Sequence, residues 1–355
     1  TAVALFVLCF VGAIREGMGD LRTRQQSARS LITFQANKFC PATSHLPQDY
    51  AQKIARLSGI REAVPVQVFT NNCRASLDIV VFHGIPADSL RRIRRLDLSQ
   101  GNWTEFEGRR DAALVGRAVA NRRGIDVGDK FSIGDLTVTV AGVFSSDGPT
   151  EENYIYSHLE FLQRRKEADS VGTVTQLEVL LEPGADPAAK CRQIDELFRG
   201  GPVATNTRPK GVFQTNSLGD LTDLIELGYY LGFACVGLVL ALVATTTLMS
   251  VQDRTKEHAV LETLGFSAPR VFGLVLTESV LLSFAGGILG VGAALLVLAW
   301  ADLAVGAEAV TVAFQPSLRL ASTGLGIALA AGVCAGLAPA WQAATAKIVP
   351  ALRQG

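Results

Sequence analysis

LGYYLGFACVGLVLALVATTTLMSVQ, Leu227–Gln252, carries no Asp, Glu, Lys, Arg or His along its whole length. Two further stretches share this property: SVLLSFAGGILGVGAALLVLAWA (Ser279–Ala301) and the run from Leu320 to Ala346. At about 1.5 Å of rise per residue, each such run crosses the roughly 30 Å hydrocarbon core of a bilayer with length left for tilt. One uncharged helix can be buried inside a large soluble protein; three in a single chain point to a membrane. The opening TAVALFVLCFVGAI (Thr1–Ile14) is apolar until Arg15 and Glu16, and reads as a fourth span shortened at its start. A signal peptide would instead show a basic leading region and a small-residue cleavage site. The expected class is therefore a membrane α-helical protein with four transmembrane helices, at 1–14, 224–250, 269–301 and 319–346. It carries a mixed α/β extracytoplasmic domain of two lobes. The 355 residues balance 33 Lys and Arg against 33 Asp and Glu, which gives no reason to expect nucleic acid or an acidic substrate.

Short-loop charge orients the spans. Arg254, Lys256 and Arg270 lie between the second and third, and Lys347 and Arg353 follow the fourth, whereas the loop before Arg319 has no cation. By the positive-inside rule the segment 251–268 and the tail 347–355 are cytoplasmic, and the loop 302–318 is outside. The long stretch 15–222 is then outside as well, being too long for its own charges to decide its side.

Within 15–222 the pattern alternates between strand and helix. Gln48–Ser58 repeats apolar residues at helical spacing, Ala63–Phe69 and Leu77–Phe82 read as strands around a turn at Thr70–Cys73, and Ala113–Val115 reads as a strand before a short helix at Ala118–Arg123. Ile125–Phe144 reads as a hairpin turning at Gly134–Asp135. Asn153–Tyr156 leads into a helix at His158–Arg165. Thr175–Leu181 reads as a strand stopped by Pro183–Gly184, with a helix at Pro187–Arg199. The reading is one lobe built from about 20–86 and 172–215, with a second lobe, about 87–171, inserted in it.

Of six cysteines, Cys9, Cys235 and Cys334 fall in spans and read as small apolar packing residues. Cys40, Cys73 and Cys191 face an oxidising space. Cys40 and Cys73 lie near turns and are the expected disulfide pair, Cys191 falling in a helix. No cysteine has zinc-ligand spacing, His45, His83, His158 and His258 are scattered, and Asp147, Glu151 and Glu152 read as solvated loop surface. No metal site is expected. No G-x-x-x-x-G-K-[ST] loop occurs, so the chain has no backbone cradle for nucleotide phosphates and no catalytic residue is assigned. Glu278, inside the third apolar segment, is an intramembrane carboxylate expected to accept bonds from neighbouring helix ends. Glycines four apart, Gly228 and Gly232, Gly286 and Gly290, Gly332 and Gly336, are candidates for close helix packing.

SVQDRTKEHAVLETLGFSAPRVFGLVLTESVLLSFAGGILGVG (Ser250–Gly292) carries a motif. Basic Arg254 is followed by Glu257, the aliphatics Val260 and Leu261, Leu264–Gly265, then Glu278 and Gly286-Gly287-Ile288-Leu289-Gly290. In order and spacing this resembles the MacB/FtsX-type permease family of ABC transporters, and is also similar to LolC/LolE-type permeases. GIDVGDKFSIGDLTVTVAGV resembles the family's middle subdomain and PAWQAATAKIVPALRQG its C-terminal end. His258 and Trp341-Gln342 depart from its usual pattern.

The resemblance implies a permease in the bacterial cytoplasmic (inner) membrane, passing ATP-driven motion from a separate ABC ATPase, which holds ATP and Mg, to its periplasmic domain. A substrate is thereby exported or extracted. It also implies a second permease copy or paralogue, surrounding membrane lipid, and in some systems a periplasmic adaptor of the membrane-fusion type. The alternative it offers is an FtsX-like activator of periplasmic cell-wall hydrolases that transports nothing. Gln252–Leu264 reads as a short amphipathic helix ended by Gly265. The resemblance implies that Arg254, Glu257, Val260, Leu261, Leu264 and Gly265 couple it to the ATPase.

Overall fold

The computed structural model describes residues 1–26, 29–38, 43–70, 80–146, 148, 150–166, 171–217, 219–254, 267–301, 304–307, 310–314 and 316–345. The chain separates into two compact units. One comprises Thr1–Arg15, Leu224–Ala301 and Gln315–Gly355; the other comprises Glu16–Asp223 and Asp302–Phe314.

Chain order in the second unit begins with helix α1 (Ala2–Gln26), shared with the first unit, and strand β1 (Ser30–Gln35). Then come β2 (Leu46–Pro47), α2 (Tyr50–Ala55), β3 (Ile60–Thr70), β4 (Val81–Ile85), α3 (Ala87–Ile93), β5 (Leu96–Gly101) and α4 (Trp103–Gly108). Next are β6 (Ala112–Gly116), α5 (Arg117–Arg123), β7 (Lys130–Ile133), β8 (Leu136–Ser146), a 3-10 turn (Glu151–Asn153), β9 (Tyr154–His158) and α6 (Leu159–Lys166). The unit continues with β10 (Thr173–Val174), β11 (Gln176–Leu181), α7 (Pro187–Leu197), β12 (Thr205–Pro209) and α8 (Lys210–Ser217).

Among the described residues ten strands join in one sheet, ordered β12-β1-β11-β3-β4-β9-β6-β8-β5 with β7 paired to β8. Strands from the beginning of the domain, β1 and β3, pair antiparallel with β11 from its end. The strands of the middle of the chain continue the same sheet through β3 and β4. Side chains alternate faces with period two. Val81, Ala112, Leu114, Phe144, Tyr154 and Tyr156 enter one core with Leu90 of α3 and Phe106 of α4. Phe82, Ala113, Val115, Val140 and Ile155 enter another with Val119 of α5 and Leu162 of α6. With helices on both faces, these strands are apolar on both sides, which is why their runs are nearly continuous rather than alternating. A third core under β1 and β11 takes Tyr50 and Ile54 of α2 and Ile194 of α7, with Phe198 stacked on Tyr50 at 3.8 Å between ring centroids.

Local chemistry accounts for several boundaries. Asp186 caps α7 by accepting bonds from the Ala188 and Ala189 amides ahead of Pro187. Gly124 ends α5 in the left-handed conformation at φ 62°. The β7–β8 hairpin turns at Gly134, also with positive φ. Cys191 is a buried free thiol on α7, pushed up to about 11 by burial and by Asp195 and Asp186. Cys40, Cys73 and the turn between β3 and β4 lie outside the described residues.

The first unit contains the apolar helices α9 (Gly219–Asp253), α10 (Ala268–Ala301) and α11 (Leu318–Thr345), with the start of α1. Among the described residues, three helices are long and apolar enough to cross a membrane: Thr222–Asp253, Ala268–Trp300 and Leu318–Thr345. The expected fourth is not among them. Helix α1 runs from Ala2 through Arg15 and Glu16 to Gln26, its apolar residues up to Ile14 forming only its first part. The segment 302–318, read from the sequence as a short loop outside the membrane, has secondary structure of its own. It contains an antiparallel hairpin, β13 (Ala304–Ala307) with β14 (Val310–Ala313), that belongs to the sheet-bearing unit.

Candidate functional site

Small residues set the helix spacing in the first unit. Along α10, Ser279, Ser283, Gly287 and Val291 recur every four residues and meet Gly336, Gly332, Ala328 and Gly324 of α11 in antiparallel order. A β-carbon at Gly332 would stand 2.9 Å from Ser283 Cβ and from Val280 Cα, and one at Gly336 would stand 2.8 Å from Ser279 Cβ. Only glycine allows this approach. Gly286 and Gly290 lie instead against Thr1 and Ala2 of α1, and Gly232 of α9 packs on Leu8. Gly228 is looser, its nearest neighbour being Val11 at 3.8 Å from the added carbon. All six glycines singled out by spacing thus sit at helix contacts, but with different partners and different tolerances.

Exposed aromatic residues stand near the ends of these helices: Tyr230 on α9, Trp300 on α10 and Trp341 on α11. The Arg15 guanidinium lies 4.6 Å from the centre of the Tyr229 ring. Away from Tyr230 and Trp300, and at the Trp341 end of α11, Val251, Val271, Val275, Ala340 and Ala343 form one buried cluster of α9, α10 and α11. Beside it, Arg254 Nη1 stands 3.9 Å from Glu278 Oε1. The structure therefore brings together two residues that the sequence had assigned to separate tasks. Glu257, Val260, Leu261, Leu264 and Gly265 lie outside the described residues.

In the sheet-bearing unit, the densest polar constellation is a buried chain of ions. Glu178, on β11 and only 3% exposed, accepts from Lys210 Nζ at 2.9 Å and from Arg94 Nη2. Arg94 Nε reaches Glu151 Oε1 at 2.8 Å, and Glu151 in turn accepts from the Tyr156 hydroxyl at 2.6 Å and the Ser146 hydroxyl at 2.7 Å. Burial alone would raise the Glu178 carboxyl, yet the charges of Arg94 and Lys210 and their hydrogen bonds outweigh it and hold it well below the usual carboxylate range. His83 lies beneath, stacked on Tyr154 at 4.5 Å. Burial, with the nearby Arg94 and Lys210 charges, lowers it to about 3, so it is neutral.

This contradicts the reading of Glu151 and Glu152 as solvated loop surface. Glu151 closes the ion chain, and Glu152 accepts from Arg117 and from the Ser146 amide. Sequence reasoning missed the constellation because its members are scattered over more than a hundred residues. A charged Glu178 between the aliphatics Leu177 and Val179 of a strand was the available signal. The hairpin β13–β14 abuts the same region: Val310, Thr311 and Phe314 are buried, and the Thr311 hydroxyl donates to the Thr150 carbonyl at 3.4 Å.

Two family models match the chain. The one described as MacB-like periplasmic core domain covers residues 1–197, and the one described as FtsX-like permease C-terminal covers residues 229–348. The chain belongs to the MacB/FtsX-type ABC permease family. Among solved structures, the permease resembles the periplasmic region of MacB from Actinobacillus actinomycetemcomitans at 13% identity and TM-score 0.39, over 53% of this chain and 91% of that one. It also resembles the extracellular domain of the noncanonic ABC-type transporter YknZ from Gram-positive bacteria at 14% identity and TM-score 0.37, over 50% and 99%. A domain of a putative permease protein from Porphyromonas gingivalis aligns at 15% identity and TM-score 0.35, over 51% and 90%. No curated protein matches the sequence. As a member of this family the permease is a membrane protein with a periplasmic-type domain that works with an ABC ATPase subunit.

Proposed function

We propose that the permease passes motion from a separate cytoplasmic ATPase to its outer domain, and so exports or extracts a substrate on the far side of the bacterial cytoplasmic membrane. One observation carries this reading. The hairpin Ala304–Ala313, drawn from the chain between α10 and α11, is built into the outer domain beside Thr150 and Tyr154. The outer domain is therefore joined to the apolar helices through this hairpin as well as through α1 and the α8–α9 connection. A shift of those helices has several routes into the sheet. Within the domain, the Lys210–Glu178–Arg94–Glu151 chain ties the root of α8 to the central strands, which suits a body that moves as a unit.

The segment 252–264 is the proposed contact with the ATPase, its apolar face supplying most of the adhesion. Burying one Leu contributes about 1.5–3 kcal/mol, against about 0–1 for an exposed ion pair. The test is capture of the ATPase by tagged permease in detergent. Leu264→Asp is expected to abolish capture while leaving insertion intact. Undiminished capture by that variant would sink the docking assignment. Two permease copies and two ATPases form the proposed unit.

A further inference from the structure

The ion pair at the cytoplasmic ends of α9 and α10 lies where the coupling segment leaves and re-enters the helices: Arg254 immediately precedes 255–266, and Glu278 lies three turns into α10. We propose that Arg254 is a positioning residue that locks α9 to α10 through Glu278, rather than a contact with the ATPase, so that any displacement of the coupling segment reaches both helices together. The proposal rests on the docking reading of 252–264 given above.

Three observations carry it. The first is depth. Counting about twenty residues, the number that spans about 30 Å, from the exposed aromatic Trp300 along α10 reaches Val280, and the same count from Tyr230 along α9 reaches Ser250. Glu278 and Arg254 therefore sit at one level, at the cytoplasmic margin of the hydrocarbon. A carboxylate there is costly alone, and a long guanidinium side chain can reach it while its head stays near water. The second is packing. Val251 stands one turn before Arg254 and Val275 one turn before Glu278, and both are buried in the cluster that α11 completes with Ala340 and Ala343. The pair thus adds a polar edge to a three-helix apolar contact. The third is charge. A guanidinium 3.9 Å from a carboxylate of its own chain, the two side chains 53% and 47% exposed, presents a locally neutral pair to a partner surface.

The experiment uses the full permease with the ABC ATPase that co-purifies with it, in nanodiscs. It measures capture of the ATPase and permease-dependent hydrolysis of ATP. Arg254→Gln and Glu278→Gln are each expected to keep capture while lowering hydrolysis about tenfold, and the swap Arg254→Glu with Glu278→Arg to restore most of it, because the interaction belongs to the pair. The double variant Arg254→Gln with Glu278→Gln leaves no unpaired charge to hinder insertion, and is expected to stay as low as the singles. A swap no better than the singles overturns the proposal. So does a neutral double as active as the parent, or loss of capture in Arg254→Gln alone. Leu264→Asp, run alongside, reports on docking separately: if it keeps capture while the swap restores hydrolysis, the docking reading falls and the helix lock stands.

Discussion

Arg94→Leu is the substitution expected to damage the outer domain most. The Arg94 side chain is 11% exposed and serves two carboxylates, Glu178 and Glu151, of which Glu178 is 3% exposed. Removing it leaves Glu178, which is shielded from water, with Lys210 alone, and the partly exposed Glu151 with the Tyr156 and Ser146 hydroxyls. Breaking a buried pair in this way costs about 3–5 kcal/mol, most of it the penalty of the uncompensated charge. For a domain of this size each kcal/mol shifts the melting temperature by about 2–4 °C, so the expected fall is roughly 6–20 °C. Heating the full chain in detergent and following protease resistance of the outer domain measures it. Arg92→Ala is the control: its pair with Glu62 is exposed, Arg92 at 58%, and should change stability by about 0–1 kcal/mol. Arg94→Leu combined with Glu178→Leu should lose less than Arg94→Leu alone, since the stranded carboxylate is then gone. Equal effects of Arg94→Leu and Arg92→Ala, or a double variant that simply adds the two losses, would refute the reasoning.

Acid sensitivity has a defined window. His83 is lowered to about 3 in the folded domain against about 6.5 unfolded, so the unfolded chain binds the extra proton and stability falls by about 1.4 kcal/mol per pH unit as pH drops from 6.5 toward 3. Glu178, depressed below its unfolded value, adds to the loss only as pH falls below about 4.3. His83→Phe should therefore flatten the stability profile between pH 6.5 and about 4.5 and leave the steeper acid limb, as read by unfolding midpoints across pH. Gly332→Leu should cost about 1–3 kcal/mol or separate α10 from α11, whereas Gly237→Leu, with nothing within 4 Å of the added carbon, should be neutral in detergent melting. Thr311→Val keeps the shape of a fully buried side chain but removes its bond to Thr150; a loss of about 1 kcal/mol, with proteolysis first in 302–314, is the expected result.

Most elements of this protein are legible locally because the forces that make them are local. An uncharged run of more than twenty residues announces an apolar helix, Pro187 after Asp186 announces the start of α7, and Gly134 announces the β7–β8 turn. The family motif around Arg254–Gly290 is likewise written in consecutive residues. The structure corrected readings that depended on distance or on partners. Helix α1 runs on through Arg15 and Glu16 to Gln26, and within 302–318 the strands β13 and β14 pair as a hairpin that belongs to the outer domain. The ion chain was the least visible. Glu151 beside Glu152 is indistinguishable in sequence from solvated surface, and only the sheet, by pairing β11 with β3 and β4 with β9, carries Glu178, Arg94 and Tyr156 to one place. Electrostatic partners far apart in sequence are chosen by folding topology, and so Arg254 and Glu278, each readable as a charge at the edge of an apolar helix, are seen to lie 3.9 Å apart only in the structure.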